Sequence, residues 1–437
     1  MEWGMVLSLI IGALLLSMLA GIPIAFSLGG LAAILIIFLV GPKGYFLFAS
    51  TAFGEINNFS LIAIPLFIFM AEVITFSGLV GEFFAAARQW LSWLPASLAV
   101  ASELGCTFFA ALTGSSTANA AAFGVATVPE MLKYGYDKRL AAGAIVAGGA
   151  LGGLIPPSIF LIVYGVMSET SIGGLFIGGL LPGLILSGLF ISYIIIRAVI
   201  NPAVAPKKAG GVTWESRFAS LLRVWPVVAL IFFMLVSIYT GIATPTEVAG
   251  CGAFFAILIA LGYRKLSWDN LRASFLRTVQ VTVMIMWILV AAHLFGYVLA
   301  RLQLPQQLTA WTLQMGFSNW TMIILINILL LLLGCIIDPL GILVLTLPLF
   351  LPIIKNMGFD PLWFGVMFCI NMEAALITPP LGFNLYILKG TVPEVLSLAD
   401  VIIGAAPFVV LDCVCLAIVI IFPEIILWLP SLMLAKG

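Results

Sequence analysis

The apolar residues of this chain occur in long uninterrupted runs, among them residues 172–197, 225–242, 245–262 and 279–300. A β-strand that spans a membrane alternates apolar and polar side chains. Continuous runs of about 20 apolar residues instead predict helices that cross a lipid bilayer. Only 8% of the residues are charged, against about 25% in soluble domains. We therefore predict an all-α polytopic membrane protein surrounded by the lipid bilayer.

The basic residues cluster in a few segments. Segments 197–223 and 264–277 together contain 9 of the 18 Lys and Arg residues, so the positive-inside rule predicts that both are cytoplasmic. The loop 133–139 contains three basic residues and is also predicted to be cytoplasmic, whereas the loop 355–360 contains one and is predicted to face outward. The net charge of the chain is zero, which argues against a nucleic-acid partner.

The sequence overlays itself when it is shifted by 223 residues. The shift places Pro129 on Pro352, "YGYD" (134–137) on "MGFD" (357–360), and Pro156-Pro157 on Pro379-Pro380. Several matches at one offset indicate an internal repeat. The loop charges place the two copies in opposite orientations, which is the architecture of many secondary transporters. We predict inverted repeats over residues 1–224 and 225–437.

Each predicted half contains two interruptions of its apolar pattern. They are "TGSSTAN" (113–119) and "GGLIPPS" (152–158) in the first half, and "IIDPLG" (336–341) and "ALITPPLG" (375–382) in the second. The helical segments on either side of the first break in each half are too short to span the membrane comfortably. This predicts re-entrant hairpins over 96–131 and 319–354. Consecutive prolines remove amide donors and leave carbonyl groups free, which predicts broken helices over 140–167 and 362–389.

These interruptions combine groups that bind ions. Free carbonyl and hydroxyl oxygens suit a hard cation, and a helix N-terminus favours an anion. Two breaks in each half therefore predict two cation sites beside one substrate site. Close packing of small residues is the alternative interpretation of "TGSSTAN". A helix cap is the alternative role of Asp338.

The motifs resemble a known family of membrane proteins. They are "GSSTANAAAFG", "GGLIPPS", "GIATPTEVAG", "IIDPLGILVLTLPLFLPI" and "EAALITPPLGFNLYI". Together they resemble the large membrane subunit of tripartite ATP-independent periplasmic (TRAP) transporters, over essentially the whole chain. The resemblance implies a multi-pass protein of the bacterial inner membrane and an elevator-type, sodium-coupled importer of an organic acid such as sialic acid or a dicarboxylate. It also implies a separate small membrane subunit and a periplasmic substrate-binding protein as partners.

The resemblance also implies the residues of the site. A first sodium ion is expected at Ser115, Ser116, Asn119, Gly152, Ile155 and Pro157. A second sodium ion is expected at Asp338, Gly341 and Thr378, with Gly241 and Thr244 bordering it. The substrate is expected to contact Thr117, Ser158, Pro380 and Asn384.

Four further expectations concern charged groups and competing functions. No Lys or Arg lies near a break in the sequence, so a carboxylate substrate is expected to meet helix N-termini, hydroxyl groups and sodium rather than a guanidinium group. Glu72 and Glu103 are expected to hydrogen-bond between helices, and Glu373 to orient the second proline break. A stand-alone sodium/dicarboxylate symporter is the alternative carrier, and a channel or proton-pump subunit is disfavoured because mid-membrane charges are few. An enzyme is not expected, since no nucleophile–base pair or metal-ligand cluster is visible.

Overall fold

The computed structural model describes residues 3–206 and 213–434, and none of these residues lies in a β-strand. Within these two ranges, twenty α-helices follow one another: α1 Trp3–Leu19, α2 Ile24–Val40, α3 Gly44–Ile56, α4 Ala63–Phe76, α5 Leu79–Trp90, α6 Ser97–Thr113, α7 Ser116–Lys133, α8 Lys138–Ala150, α9 Ile159–Ser168, α10 Ile172–Ile200, α11 Trp214–Tyr239, α12 Pro245–Gly262, α13 Trp268–Arg301, α14 Leu304–Gln314, α15 Asn319–Gly334, α16 Pro339–Asn356, α17 Pro361–Ile377, α18 Phe383–Thr391, α19 Leu398–Ile421 and α20 Glu424–Leu434. In the described part of the chain, seven helical segments are long and apolar enough to cross a membrane. The predicted all-α polytopic membrane fold is therefore confirmed.

The repeated motifs "YGYD" and "MGFD" have the same local structure. Gly135 and Gly358 both adopt a positive φ, at 78° and 79°, just after a helix ends. This backbone conformation costs glycine little because it lacks a Cβ atom. Asp137 then caps α8 and Asp360 caps α17, each by accepting hydrogen bonds from amides of the first turn. The motif therefore ends one helix and begins the next in both halves.

The helix bounds follow the 223-residue shift. Helix α7 maps onto α16 at both ends, the first residue of α8 maps onto that of α17, and the last residue of α9 maps onto that of α18. The hairpin predicted over 96–131 comprises α6 and α7, and the one predicted over 319–354 comprises α15 and α16. The predicted broken helices are α8 with α9 and α17 with α18. The predicted boundary between residues 224 and 225 falls inside α11.

Packing between the halves is reciprocal. Helix α7 contacts α18 of the other half, and its counterpart α16 contacts α9, the counterpart of α18. Under the 223-residue shift, α3 and α4 both map onto the long helix α13, and α2 maps onto α12. The contact between α2 and α13 therefore has its counterpart in the contact between α12 and α4. An approximate twofold axis between the halves produces such exchanged pairs. Helices α8 and α17 are buried along nearly their whole length, so the two broken helices form the centre of the molecule.

The two proline breaks differ in exposure. All residues from 151 to 159 are buried. In the second break, Pro379, Pro380 and Leu381 are exposed. Both breaks contain a cis peptide bond between their two prolines. The halves thus share a backbone plan, but only the second break reaches the protein surface.

Candidate functional site

A cavity of about 620 Å³ lies where both hairpin tips face α4 and α13. Its volume is within the range of about 300–1,000 Å³ that is usual for small-molecule sites. First-turn residues of four helices contribute to its wall: α7, α9, α16 and α18. The cavity therefore brings four helix N-termini, two from each half, to one place.

The first hairpin tip consists of Gly114 and Ser115 between α6 and α7. Gly114 has a φ of 55°, and a Cβ atom on it would overlap the carbonyl oxygen of Pro157. Ser115 caps α7 by accepting a hydrogen bond of 3.4 Å from the amide of Ala118. A Cβ atom on Gly152 would lie 2.9 Å from the Ser115 carbonyl oxygen. The tip and the first proline break are thus in direct backbone contact, which only glycine permits.

Side chains of α7 fasten this tip to the broken helix. The Ser116 hydroxyl donates to the carbonyl oxygen of Ala150 at 2.8 Å. The Asn119 amide donates to the carbonyl oxygens of Cys106 at 3.0 Å and Gly148 at 3.3 Å. Asn119 is completely buried, and its Oδ1 atom has no hydrogen-bond partner among the described residues. Neutral hydroxyl, amide and carbonyl oxygens are the donor set that a sodium ion takes, so the residues present fit the predicted ion.

The remaining residues predicted for the first sodium site lie on the proline break itself. Pro157 and Gly152 border the tip, as described above. Ile155 sits in the same break, and its side chain packs where a Cβ atom on Gly183 of α10 would stand. The structure therefore places Gly152 against Ser115 and Pro157 against Gly114, with Ile155 in the same break.

The second hairpin tip carries a carboxylate. Asp338 caps α16 by accepting a hydrogen bond of 3.0 Å from the amide of Gly341, and it also lines the cavity. A Cβ atom on Gly341 would lie 2.8 Å from Oδ1 of Asp338. The Thr378 hydroxyl donates to the carbonyl oxygen of Ala374 within its own helix, at 2.6 Å. Among the described residues, no hydrogen bond joins this tip to the second break.

Gly241 and Thr244 lie in the exposed turn between α11 and α12. Gly241 has a φ of 70°. Thr244 forms a capping box with Glu247, whose carboxylate accepts 2.8 Å hydrogen bonds from the Thr244 amide and hydroxyl. These contacts stabilise the start of α12. Neither residue belongs to the described lining of the cavity, and their border role at the second sodium site stays a prediction.

Of the four residues predicted to contact the substrate, Thr117 lines the cavity. Ser158 is buried and caps α9, and its hydroxyl donates to the carbonyl oxygen of Gly153. The buried Asn384 donates to the carbonyl oxygen of Val146 in α8, at 3.3 Å. Pro380 is exposed and accepts a hydrogen bond from the Tyr386 hydroxyl, at 2.6 Å. These three residues stabilise the broken helices, and none of them appears in the described lining of the cavity.

Arg277 is a cavity residue that the sequence reasoning misplaced. The positive-inside rule predicts a cytoplasmic position for Arg277, and the sequence places no Lys or Arg near the breaks. In the structure it lies within α13 and lines the cavity together with both hairpin tips. The signal in the sequence was a helical spacing: Arg277, Val281, Met284, Ile285 and Ile288 lie on one face of α13 and all border the cavity. Glu72 of α4 also lines it.

Three further carboxylates are buried beside the breaks. A Cβ atom on Gly148 would lie 2.6 Å from Oε2 of Glu103 in α6. A Cβ atom on Gly153 would lie 2.5 Å from Oε1 of Glu373 in α17. Asp412 of α19, which the sequence reasoning did not single out, is also buried. No described residue hydrogen-bonds to the Glu103 carboxylate, contrary to expectation. Glu373 lies against the first break rather than orienting the second, and none of the three appears in the described lining of the cavity.

Comparison with known protein families assigns this chain to one of them. The model of the tripartite ATP-independent periplasmic transporter, DctM component, matches residues 11–425. The chain belongs to this family. A C4-dicarboxylate TRAP transporter large permease protein from Pseudomonas aeruginosa is 34% identical over 403 residues, covering 92% of this chain and 93% of that protein. A sialic acid TRAP transporter large permease protein from Vibrio cholerae is 31% identical over 425 residues, covering 96% and 97%.

A solved structure shows the same fold. The YdaH transporter of Alcanivorax borkumensis superposes with a TM-score of 0.65 at 13% sequence identity, covering 91% of this chain and 95% of that one. Together with the family match, the apolar helices identify this TRAP permease as a multi-pass protein of the bacterial inner membrane.

Proposed function

We propose that this TRAP permease imports an organic acid in symport with sodium. The observation that carries the proposal is the cavity at which the N-termini of α7, α9, α16 and α18 converge. Each helix N-terminus carries a partial positive charge, so together they favour a carboxylate. The relatives named for C4-dicarboxylates and for sialic acid support the same substrate class.

Sodium binds next to this anion in our proposal. Ser115, Ser116 and Asn119 hold one ion with the carbonyl groups of the first break, and Asp338 holds a second ion at the other tip. The bound ions supply positive charge that lowers the cost of carrying a carboxylate through the membrane. Because ions and substrate share the hairpin tips, each raises the affinity of the other.

An elevator-type movement accounts for the unequal breaks. The buried first break and the exposed second break are the asymmetry expected of an inverted repeat that is open to one side. In the opposite state their exposure exchanges. A separate small membrane subunit anchors the stationary part, and a periplasmic binding protein delivers the acid.

Proteoliposomes test the proposal directly. Permease reconstituted with its small subunit and binding protein is assayed for uptake of radiolabelled succinate and N-acetylneuraminate, with an inward sodium gradient or with potassium in its place. We expect uptake of one of these acids that needs both sodium and the binding protein. Equal uptake without the binding protein would instead identify a stand-alone symporter, and equal uptake in potassium would exclude sodium coupling.

A further inference from the structure

Arg277 is the only cationic side chain in the described lining of the cavity. It begins the stripe on α13 that continues through Val281, Ile285 and Ile288. The stripe therefore offers one positively charged end and an apolar length. A ligand that fits it presents a carboxylate to Arg277 and a carbon skeleton to the apolar side chains.

The guanidinium group is free to take a ligand. Among the described residues, no hydrogen bond and no ion pair within 4.0 Å engages Arg277. Glu72 of α4 also lines this cavity, and Arg277 acts on its carboxylate electrostatically. Glu72 follows Ile68 and Ala71 on the face of α4 that borders the same cavity. The pair thus places a cation and its resting counter-charge on the two helices that face the hairpin tips.

This charged pair breaks the twofold relation between the halves. The 223-residue shift places Arg277 on Gly54 and Glu72 on Phe295. The hairpin tips, by contrast, have matched capping residues in both halves. A single substrate bound along the α13 stripe presents one carboxylate to the charged end of that stripe, so its anchoring residue needs to occur only once. Arg277 satisfies this condition, whereas the caps at the tips do not.

Resting on the function proposed above, we propose that Arg277 anchors the carboxylate of the substrate, while Glu72 is the counter-charge of the guanidinium group until the substrate arrives. Arginine suits this role because its planar guanidinium group donates two parallel hydrogen bonds to a carboxylate. The body of the acid then lies along Val281, Ile285 and Ile288. The four helix N-termini and the sodium ions complete its surroundings.

Uptake kinetics in the reconstituted system test this anchor. The acid that the wild-type protein carries, succinate or N-acetylneuraminate, is compared with its carboxamide as a competitor. For Arg277→Gln we expect the KM for the acid to rise about tenfold or more, the loss of roughly one charged hydrogen-bond pair. The preference for carboxylate over carboxamide should collapse as well. At a saturating concentration of the acid, the sodium concentration for half-maximal uptake should stay within about twofold of the wild-type value.

Three companion variants make the result specific. Arg277→Lys keeps the charge without the paired donors, so it should recover part of the affinity. Glu72→Gln removes the competing anion and should lower the KM about threefold. Arg272→Gln, also on α13 but outside the described cavity lining, should behave like the wild-type protein.

Two results would overturn the anchor. One is an Arg277→Gln protein with an unchanged KM and an unchanged preference for carboxylate. The other is an equal change in three quantities: the KM for the acid, the inhibition constant of the carboxamide and the sodium concentration for half-maximal uptake. Such a uniform change indicates a structural defect. If the wild-type protein shows no sodium-dependent uptake of either acid, the proposed function fails and the anchor fails with it. Normal wild-type uptake with unaltered Arg277→Gln kinetics refutes the anchor alone.

Discussion

The two hairpin tips occupy equivalent places in the repeat but are held by different interactions. Ser115 and Asp338 map onto each other, and each caps its helix by accepting from the amide three residues on. The first tip is neutral, and Ser116 and Asn119 fasten it to carbonyl groups of the broken helix. The second tip carries a charge. The hydrogen bond that Asp338 accepts from the Gly341 amide stays within its own hairpin.

In the transport function proposed above, this difference gives two ways of building a cation site from one backbone plan. At the first tip, buried neutral oxygens and a break without exposed residues keep the geometry fixed. At the second tip, the Asp338 carboxylate would supply the attraction for the proposed ion, and the adjacent break is exposed at Pro379 and Pro380. We infer that rigidity governs the first site and charge governs the second. The following variants test that contrast.

The largest effect is expected for Asp338→Asn. Asparagine caps a helix about as well as aspartate, so α16 keeps its cap while the tip loses its charge. A hydrogen bond or contact that involves a charge contributes about 1.5–3 kcal/mol, which corresponds to roughly a 10- to 150-fold weaker sodium affinity. The sodium concentration for half-maximal uptake in proteoliposomes measures this change in sodium affinity.

Asp360→Asn is the matched control for that variant. It makes the same change at the cap of α17, where the aspartate is exposed and accepts from the Leu362 amide at 2.7 Å. Sodium activation should be unaffected there. If Asp338→Asn also titrates like the wild-type protein, Asp338 acts as a cap only and the charge contrast is wrong.

A smaller effect, on stability, is expected for Gly152→Ala. The new Cβ atom would lie 2.8–2.9 Å from backbone atoms of Ser115 and Ser116, and such overpacking typically costs about 1–3 kcal/mol. The equivalent position in the second half is Ala375, which already carries a Cβ atom. Thermal unfolding in detergent, with and without sodium chloride, should show a lower midpoint and a reduced shift by sodium.

Gly188→Ala is the control, because a Cβ atom at this position in α10 would have no heavy atom within 4 Å apart from its chain neighbours and the nearby backbone of its own helix. Its midpoint should match that of the wild-type protein or rise slightly, since alanine favours a helix over glycine. Gly152→Ala with an unchanged midpoint and an unchanged sodium shift would show that the first tip is not rigid.

Local signals explain why the helix bounds around the two tips and breaks could be predicted from the sequence. Gly135 with Asp137, and Gly358 with Asp360, end one helix and start the next through contacts within a few residues. Such signals recur in both halves, so the 223-residue shift marks the helix bounds closely. The order of the elements is therefore readable without knowledge of their packing.

The cavity could not be predicted in the same way, because its wall joins residues that are distant in the sequence. A charge count placed Arg277 in a loop, although it lies within a helix of 34 residues. Ser158 and Asn384 occur beside the breaks, yet their side chains bond to backbone groups in the interior. Which polar group faces the cavity depends on how α4, α13 and the tips pack, and no local pattern records that.

The smallest effect is expected at Ser115, where two substitutions separate a cap from an ion ligand. Replacing a serine cap with alanine costs about 1 kcal/mol, whereas glycine costs only a few tenths. If Ser115 only caps α7, Ser115→Gly should unfold and transport nearly as the wild-type protein does, and Ser115→Ala should unfold at a lower temperature. If its hydroxyl also binds sodium, both variants lose that oxygen and should need a similar, severalfold higher sodium concentration for half-maximal uptake, despite their different stabilities.

We expect both Ser115 variants to need more sodium, because Ser115 borders both the cavity and the first break. A sodium requirement that follows stability alone would reduce the first tip to a capped turn.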